Sequence, residues 1–285
     1  MLELLAPEHR VTLLTPAPRA GQPPPPAPLP PGASVVPYGA PGGARPGAGG
    51  AALLGAARGL LRAAVQGKSG ALGVAFDGDA DRALFVDERG EILSGDHVML
   101  ILAREMQRSD ALPGATVVGT VMSNVGLEVA LKREGIALER TPVGDRYVLE
   151  RMREAAYRFG GEQSGHIIDL TRNTTGDGPL TAVTLFATVA RSGATLHEMA
   201  HDLITFPQIL VNVRVNGDKA TIAERPAVLA AIARAERELA GNGRILVRPS
   251  GTEPLVRVML EGPDRGQIDR LANDVADAIR EAALA

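Results

Sequence analysis

ALGVAFDGDADRALFVDERGEILS, residues 71–94, decides how the rest of the chain is read. Ala71–Phe76 is a short apolar run and predicts a strand. Ala83–Val86, the turn Asp87-Glu88-Arg89-Gly90 and then Glu91-Ile92-Leu93 predict a hairpin. Between the two apolar runs stands Asp77-Gly78-Asp79-Ala80-Asp81-Arg82. Three carboxylates at alternate positions, separated only by Gly and Ala, can converge on one cation through oxygen ligands. Without that cation their mutual repulsion destabilises the loop, so a hard divalent ion is implied. Arg82 adds a fixed two-pronged positive charge, suited to a phosphate bound beside the ion. Two other readings stay open at this point. One is a solvated acidic turn, which the apolar flanks disfavour. The other is a helix-loop-helix calcium loop, with Asp77, Asp79 and Asp81 at its first, third and fifth positions and Glu88 at its twelfth. That loop needs glycine at its sixth position, where this sequence has Arg82, and its flanks should not be strands.

Beyond residue 94 the pattern is that of an α/β protein. A helix is predicted over Asp96–Gln107, a strand over Thr116–Thr120, a helix over Val125–Glu134 capped by Ser123-Asn124 and stopped at Gly135, a strand over Ile136–Thr141 and a helix over Asp145–Arg153. This alternation predicts a parallel or mixed sheet covered on both faces. Gly178–Ser192 is apolar nearly all round, which predicts a central, buried helix. After Pro207 come a strand (Ile209–Val215), a helix (Arg225–Glu238), two strands (Gly243–Val247 and Leu255–Leu260) and a last helix (Gln267–Leu284). The fold class expected is therefore a mixed-sheet α/β domain followed by a small α+β C-terminal domain with its helices on one side of a sheet.

Residues 1–70 are different. They hold most of the 21 prolines and a Gly-rich stretch from Gly39 to Gly50. Proline removes amide donors and glycine raises the cost of ordering, so the segment is expected to be largely disordered, either as a linker or as a stretch read out of frame. Within it Arg10–Leu14 is strand-like and Ala51–Val65 helix-like.

The net charge of −3 gives no support to a nucleic-acid or anionic-membrane partner. With no cysteine there is no disulfide, thiolate catalysis or Cys-held metal. No signal-peptide pattern opens the sequence and no run approaches the roughly 20 apolar residues of a membrane span, so a soluble cytoplasmic protein is expected.

Two further motifs carry chemistry. Gly160-Gly161-Glu162-Gln163-Ser164-Gly165-His166 is a glycine-punctuated turn in which Glu162 and Ser164 can bind vicinal sugar hydroxyls and His166 can move protons near neutral pH. Taken alone, such a histidine is more often structural. Arg248-Pro249-Ser250-Gly251-Thr252-Glu253-Pro254, with Arg257, offers backbone amides, hydroxyls and two guanidinium groups to a phosphate dianion, or is an ordinary hairpin turn. Gly144-Asp145-Arg146 opens a helix, where Asp145 can act as a cap or the group can help hold an anion. Asn173-Thr174-Thr175-Gly176-Asp177-Gly178 reads as a capped turn.

The three motifs, in this order and on these elements, resemble the α-D-phosphohexomutase superfamily over Ala71–Ala285. The glutamine in Gly-Glu-Gln-Ser-Gly-His and the stretches Gly119–Asn124 and Val143–Val148 look most like its bacterial phosphoglucosamine mutase branch, with phosphoglucomutases and phosphomannomutases next. The resemblance implies that Asp77, Asp79 and Asp81 hold Mg2+ and that Arg82 touches the phosphoryl group. Glu162 and Ser164 would orient a phosphorylated hexosamine or hexose, with His166 an acid/base. Arg248, Ser250, Gly251, Thr252 and Arg257 would grip the phosphate that is not reacting. It also implies that 71–95 ends the second of four domains, 96–205 is the third and 206–285 the fourth. One departure stands out: the family's phosphoserine loop, of the Thr-Ala-Ser-His-Asn type, does not occur in these 285 residues. The expectation is an N-terminally truncated chain, inactive alone unless another chain supplies that serine, or a sugar-phosphate-binding remnant.

Overall fold

The computed structural model describes residues 10–16 and 34–38 as backbone strands, and residues 71–284 except 217, 242, 251 and 252. The expected strand at Arg10–Leu14 is present. Ser34–Tyr38, expected to be disordered, is a strand as well, because it pairs with the strand at Arg10–Pro16, while the expected helix at Ala51–Val65 and the expected disorder of the remaining residues of 1–70 lie outside the described residues. The chain divides into two compact units. The first runs to Ser123 and resumes over Leu127–Ile204, and the second comprises Asn124–Gly126 with Thr205–Ala285.

The first unit holds two sheets. Strands β1 (Arg10–Pro16), β2 (Ser34–Tyr38), β3 (Ala71–Phe76), β4 (Ala83–Val86) and β5 (Ile92–Leu93) form one, in the order β2-β1-β3-β4-β5. β1 lies parallel to β2 and β3, and β3-β4-β5 is antiparallel, with Phe76 opposite Ala83 across the acidic loop. Helix α1 (Gly95–Arg108) follows directly and buries Val98, Met99, Leu100, Ile101 and Leu102.

The second sheet is built from β6 (Thr116–Thr120), α2 (Val125–Arg133), β7 (Ala137–Thr141), α3 (Asp145–Glu154), β8 (Phe159–Gly161) and β9 (Ile167–Asp169). Its order is β7-β6-β8-β9, with β6 parallel to both neighbours and β9 antiparallel to β8. Side chains alternate across a strand, so Val117 and Val118 point to opposite faces. Val117 packs with Leu127, Leu131 and Phe159, and Val118 with Val148, Met152 and Ile168. The sheet is thus mixed and covered on both sides. Because the chain leaves β6 for β7 and then crosses back to β8, the loops at the carboxyl ends of these strands gather at a switch in strand order, where open α/β sheets place their ligands.

Helix α4 (Gly178–Ser192) starts at Asp177, whose Oδ1 accepts the Leu180 amide at 2.8 Å, and stops at Gly193 with φ of 71°. It is not buried all round, as its composition suggested. Thr181, Ala182, Leu185, Phe186, Thr188 and Val189 face the core, while Pro179, Arg191 and Ser192 are exposed. Its outer positions are small or half-polar residues that tolerate water, and an apolar count does not separate that from a core helix. Phe186 meets Phe85 edge to face, with ring centroids 5.8 Å apart. A short helix, α5 (Leu196–Ala200), closes the unit behind a Thr195/Glu198 capping box.

The second unit contains β10 (Gln208–Arg214), α6 (Lys219–Ala223), α7 (Pro226–Leu239), β11 (Arg244–Pro249), β12 (Leu255–Glu261) and α8 (Arg265–Leu284). The sheet is antiparallel in the order β10-β12-β11. Val256, Val258 and Leu260, at alternate positions on β12, form a core with Val228 of α7 and Ile268, Leu271, Val275 and Ile279 of α8, as expected for a small α+β unit. On the other side of β12, Glu261 is fully buried, and its carboxylate accepts from Arg244 Nε at 2.6 Å and Gln208 Nε2 at 3.1 Å. Among the described residues no helix is long and apolar enough to cross a membrane.

Phe85 has no solvent exposure, whereas Leu284 is 91 % exposed. Phe85→Ala should therefore destabilise the first unit by about 3–5 kcal/mol, and Leu284→Ala should stay within about 0.5 kcal/mol of the parent, as measured by urea unfolding.

Candidate functional site

The acidic loop closes the β3–β4 hairpin. Ala80, with φ of 59°, turns the chain, and the Ala80 amide donates to the Asp77 carbonyl at 3.3 Å. The side-chain oxygens of Asp77, Asp79 and Asp81 come within 4.8 Å of one another. Asp77 is 4 % exposed, and its Oδ1 accepts the Arg82 amide at 3.2 Å. Burial pushes the Asp77 carboxyl above the usual carboxylate range, and the neighbouring Asp81 and Asp79 add to that, against the pull of the Arg82 amide. Burial also works against the charge on Asp81, but the hydrogen bond from Asp77, His166 and the Arg82 guanidinium outweigh it and hold Asp81 below that range. The two carboxyls are thus pushed in opposite directions, as interacting carboxylates in unlike surroundings are.

The glycine-punctuated turn connects β8 to β9. The Glu162 amide donates to the His166 carbonyl at 2.8 Å, and the Gly165 amide to the Glu162 carbonyl at 3.0 Å. Glu162 Oε1 accepts the Gly144 amide at 3.0 Å, and the Ser164 hydroxyl donates to Oε2 at 3.3 Å. Glu162 and Ser164 are therefore side by side, with the loop after β7 resting on the carboxylate.

Backbone pairing fastens this turn to the acidic loop. Ala83 N donates to Gly165 O at 3.2 Å, Gly95 N donates to Gln163 O at 3.0 Å, and Arg82 and His166 form an antiparallel bridge. The fit leaves no room for side chains at two glycines. A Cβ on Gly95 would overlap the Glu162 carbonyl, and one on Gly165, whose φ is +96°, would overlap the Ala83 carbonyl. A side-chain link completes the joint: His166 Nδ1 lies 3.1 Å from Asp81 Oδ2, across 85 residues of sequence. That contact assigns the proton to Nδ1, because its neighbour is a carboxylate acceptor.

Asp81 Oδ1 and Arg82 Nε at this joint are buried without a hydrogen-bond partner among the described residues, as is His166 Nε2, on the ring edge away from Asp81. An acceptor from an acidic cluster and a guanidinium donor, both left over, fit a cation and an anionic oxygen. Carboxylate oxygens are also the donor set that Mg2+ prefers.

Asp145 does not cap α3. Gly144 occupies the cap position with φ of 133°, and the Asp145 carboxylate lies 3.9 Å from His166 Nε2 instead. Arg146 turns away to Glu150, at 2.8 Å. His166 is 2 % exposed, so the ring is enclosed rather than presented to water.

In the second unit, Arg248 and Arg257 are cross-strand partners, on the sheet face turned away from the helices. Burial, and then the charge of Arg257, pull the Arg248 guanidinium below its usual value. Arg257 donates to Glu253 Oε2 at 2.8 Å, and its buried Nε has no partner among the described residues. Ser250 is 2 % exposed, with its hydroxyl receiving the Glu253 amide at 3.3 Å. Gly251 and Thr252 lie outside the described residues. Lys219, which the sequence reading passed over, bonds the Ser250 carbonyl and the Glu253 carbonyl and so fixes both ends of the turn.

The chain matches the descriptions of two domains, phosphoglucomutase/phosphomannomutase alpha/beta/alpha domain III over residues 94–206 and the C-terminal domain of the same enzymes over residues 210–278. It is 53 % identical over 211 residues to the phosphoglucosamine mutase of Moorella thermoacetica, covering 74 % of this chain and 47 % of that one. With the phosphoglucosamine mutase of Symbiobacterium thermophilum it is 53 % identical over 220 residues, 77 % of this chain and 49 % of the other. It thus spans about half the length of these curated relatives. Among solved structures it resembles a phosphoglucomutase/phosphomannomutase family protein from Burkholderia thailandensis, with TM-score 0.67, 19 % identity, and coverage of 99 % of this chain and 63 % of that one. It also resembles the N-acetylphosphoglucosamine mutase of Aspergillus fumigatus in complex with GlcNAc-6P and magnesium, with TM-score 0.61, 23 % identity, and coverage of 79 % and 53 %. With two consecutive domain matches and about half of its aligned residues shared with curated members, the chain belongs to the phosphoglucomutase/phosphomannomutase family.

Proposed function

We propose that the chain is the cation-, sugar- and phosphate-binding part of a phosphoglucosamine mutase, which interconverts glucosamine 6-phosphate and glucosamine 1-phosphate by phosphoryl transfer. The observation that carries this is the joint in the first unit, where a triply acidic loop and a hydroxyl-reading turn are bonded edge to edge with Arg82 between them. The identity to curated phosphoglucosamine mutases supports the hexosamine over other hexoses. Residues 71–95 would close the second domain of the family, 96–205 make the third and 206–285 the fourth. The reaction belongs to amino-sugar and cell-wall precursor synthesis in the bacterial cytoplasm.

Asp77, Asp79 and Asp81 would hold Mg2+, which supplies neutralising charge at the phosphoryl group being transferred. Arg82 would donate its spare Nε to a phosphoryl oxygen. Glu162 and the Ser164 hydroxyl would orient two sugar hydroxyls. His166, held through Nδ1 by Asp81, would be the acid/base. In the second unit Arg248, Arg257 and the Ser250–Thr252 turn would take up a phosphate dianion, so that binding energy comes from a group remote from the bond being broken. The sequence has no phosphoserine loop, so we infer that these 285 residues bind substrate without turning it over.

Measurements of cation binding, phosphate binding and turnover test the reading. Mg2+ at a hundredfold excess over its Kd should stabilise the chain at pH 7 by about 2.7 kcal/mol, seen as a higher melting temperature. The sign follows from Asp77. Its raised value means that the cation-free fold loses stability as pH rises through it, so the Mg2+ gain should fade as pH drops back through the same value. The lowered Asp81 contributes stability above its unfolded value that is lost only at still lower pH. Asp77→Asn should stabilise the cation-free chain at pH 7 and remove the Mg2+ response, and a persisting response would sink the assignment. Arg257→Ala should weaken binding of glucosamine 6-phosphate by about ten- to a hundredfold, read by calorimetry, and an unchanged Kd would exclude Arg257 from the phosphate site. With glucosamine 6-phosphate and a trace of the 1,6-bisphosphate, the chain should form no glucosamine 1-phosphate, and turnover would refute the inference of inactivity.

A further inference from the structure

The turn Asn173–Gly178 looked in the sequence like nothing more than the cap of α4, and it does cap that helix through Asp177. It also touches the acidic loop and His166 at two places where a side chain would not fit. The Gly178 amide donates to the Ala80 carbonyl at 2.9 Å, at the strained residue around which the acidic loop turns. A Cβ on Gly178 would lie 2.8 Å from that carbonyl oxygen and 3.0 Å from the Arg82 carbonyl. Gly176 is buried, and a Cβ there would overlap Nε2 and Cε1 of His166 and stand 2.6 Å from its Cδ2. The imidazole thus occupies the place of the missing methyl group. Its opposite edge is the one that reaches Asp81, through Nδ1.

We propose that this turn is a positioning element of the cation site: Gly176 leaves the space that lets His166 hold Asp81, and Gly178 holds Ala80, so both ends of the Ala80-Asp81 segment are fixed from outside the loop. Gly176 contacts neither cation nor sugar and acts only through the ring. A methyl group there pushes the imidazole back along its own axis toward Asp81, or tips it out of line, and in either case Asp81 Oδ2 loses its present partner geometry. Three mutually repelling carboxylates keep one arrangement only while something outside the loop fixes them, and outer partners of metal ligands are typically worth ten- to a hundredfold in affinity. The turn itself is well tied, with Asn173 Nδ2 on Asp177 Oδ2 at 3.1 Å and the Asn173 amide on the Asp169 carbonyl at 2.9 Å, so it resists moving aside.

The proposal rests on the cation reading of Asp77, Asp79 and Asp81, and a double-variant cycle separates the two. Mn2+ is titrated into the full chain by calorimetry for the parent, Gly176→Ala, His166→Ala and the double variant, with the fold checked by circular dichroism. Each single variant should bind Mn2+ about tenfold more weakly, and the double variant no more weakly than His166→Ala, because without the ring the added methyl group meets nothing. Losses that add, or an unchanged Kd in a folded Gly176→Ala chain, would overturn the proposal while leaving the cation site standing. A parent chain that binds no Mn2+ overturns both. Should Gly176→Ala not fold, a folded double variant with the affinity of His166→Ala supports the proposal, and an unfolded double variant overturns it.

Discussion

Like charges within 4.8 Å of one another, at the end of a strand buried in the core, set the terms for the first unit. Charge that close, and half withdrawn from water, must be neutralised, shared or screened. The Arg82 amide bonds Asp77, the Arg82 guanidinium lies 3.7 Å from it, and His166 takes one oxygen of Asp81. The neighbouring elements serve these contacts. The β3–β4 hairpin brings the carboxylates together, and the β8–β9 turn lies against the hairpin edge because that is where His166 has to stand.

The regular elements were readable in the sequence nearly to the residue, since long periodic helices and bounded apolar strands announce themselves. β6 begins and ends where its apolar run does, and α1, α7 and α8 are within two residues of their expected ends. What failed had weak local signals. β8 and β9 are three residues each, and two of those in β8 are Gly160 and Gly161, which have no strand preference of their own. They are strands because Gly160 packs against Val118 and Met152 without a side chain, a property of the sheet and not of the tripeptide. α5 and α6 have five residues each and depend on their caps.

The site residues divide in the same way. The nearness of Asp77, Asp79 and Asp81, and of Glu162 and Ser164, follows from residue spacing, because side chains two positions apart on one loop are near in space. The pairing of His166 with Asp81 spans 85 residues, and the reach of Lys219 to Ser250 spans 31. Such contacts are set by which strand lies beside which, and no local pattern encodes that. Asp145 illustrates the converse error: it is the right residue for a cap, but the chain turns one residue earlier, at Gly144.

Charge crowding recurs in the second unit with the opposite sign. Arg248 and Arg257 stand directly across β11 and β12, and cross-strand like charges oppose pairing. The pair is held by the apolar face beneath it, where Val256, Val258 and Leu260 pack on the helices, and is offset only in part by Glu253 on the outside. In both units, then, a well-packed core carries a surface arrangement that lowers stability on its own. Nothing in folding requires three facing carboxylates or two facing guanidinium groups, and elsewhere among the described residues there are close pairs of opposite sign such as Arg104 with Glu134 and Arg270 with Glu238. Crowded charge of one sign that the fold has to hold against itself is ordinarily placed for a ligand of the other sign. Each cluster, taken by itself, calls for a ligand of the opposite sign, a cation in the first unit and an anion in the second.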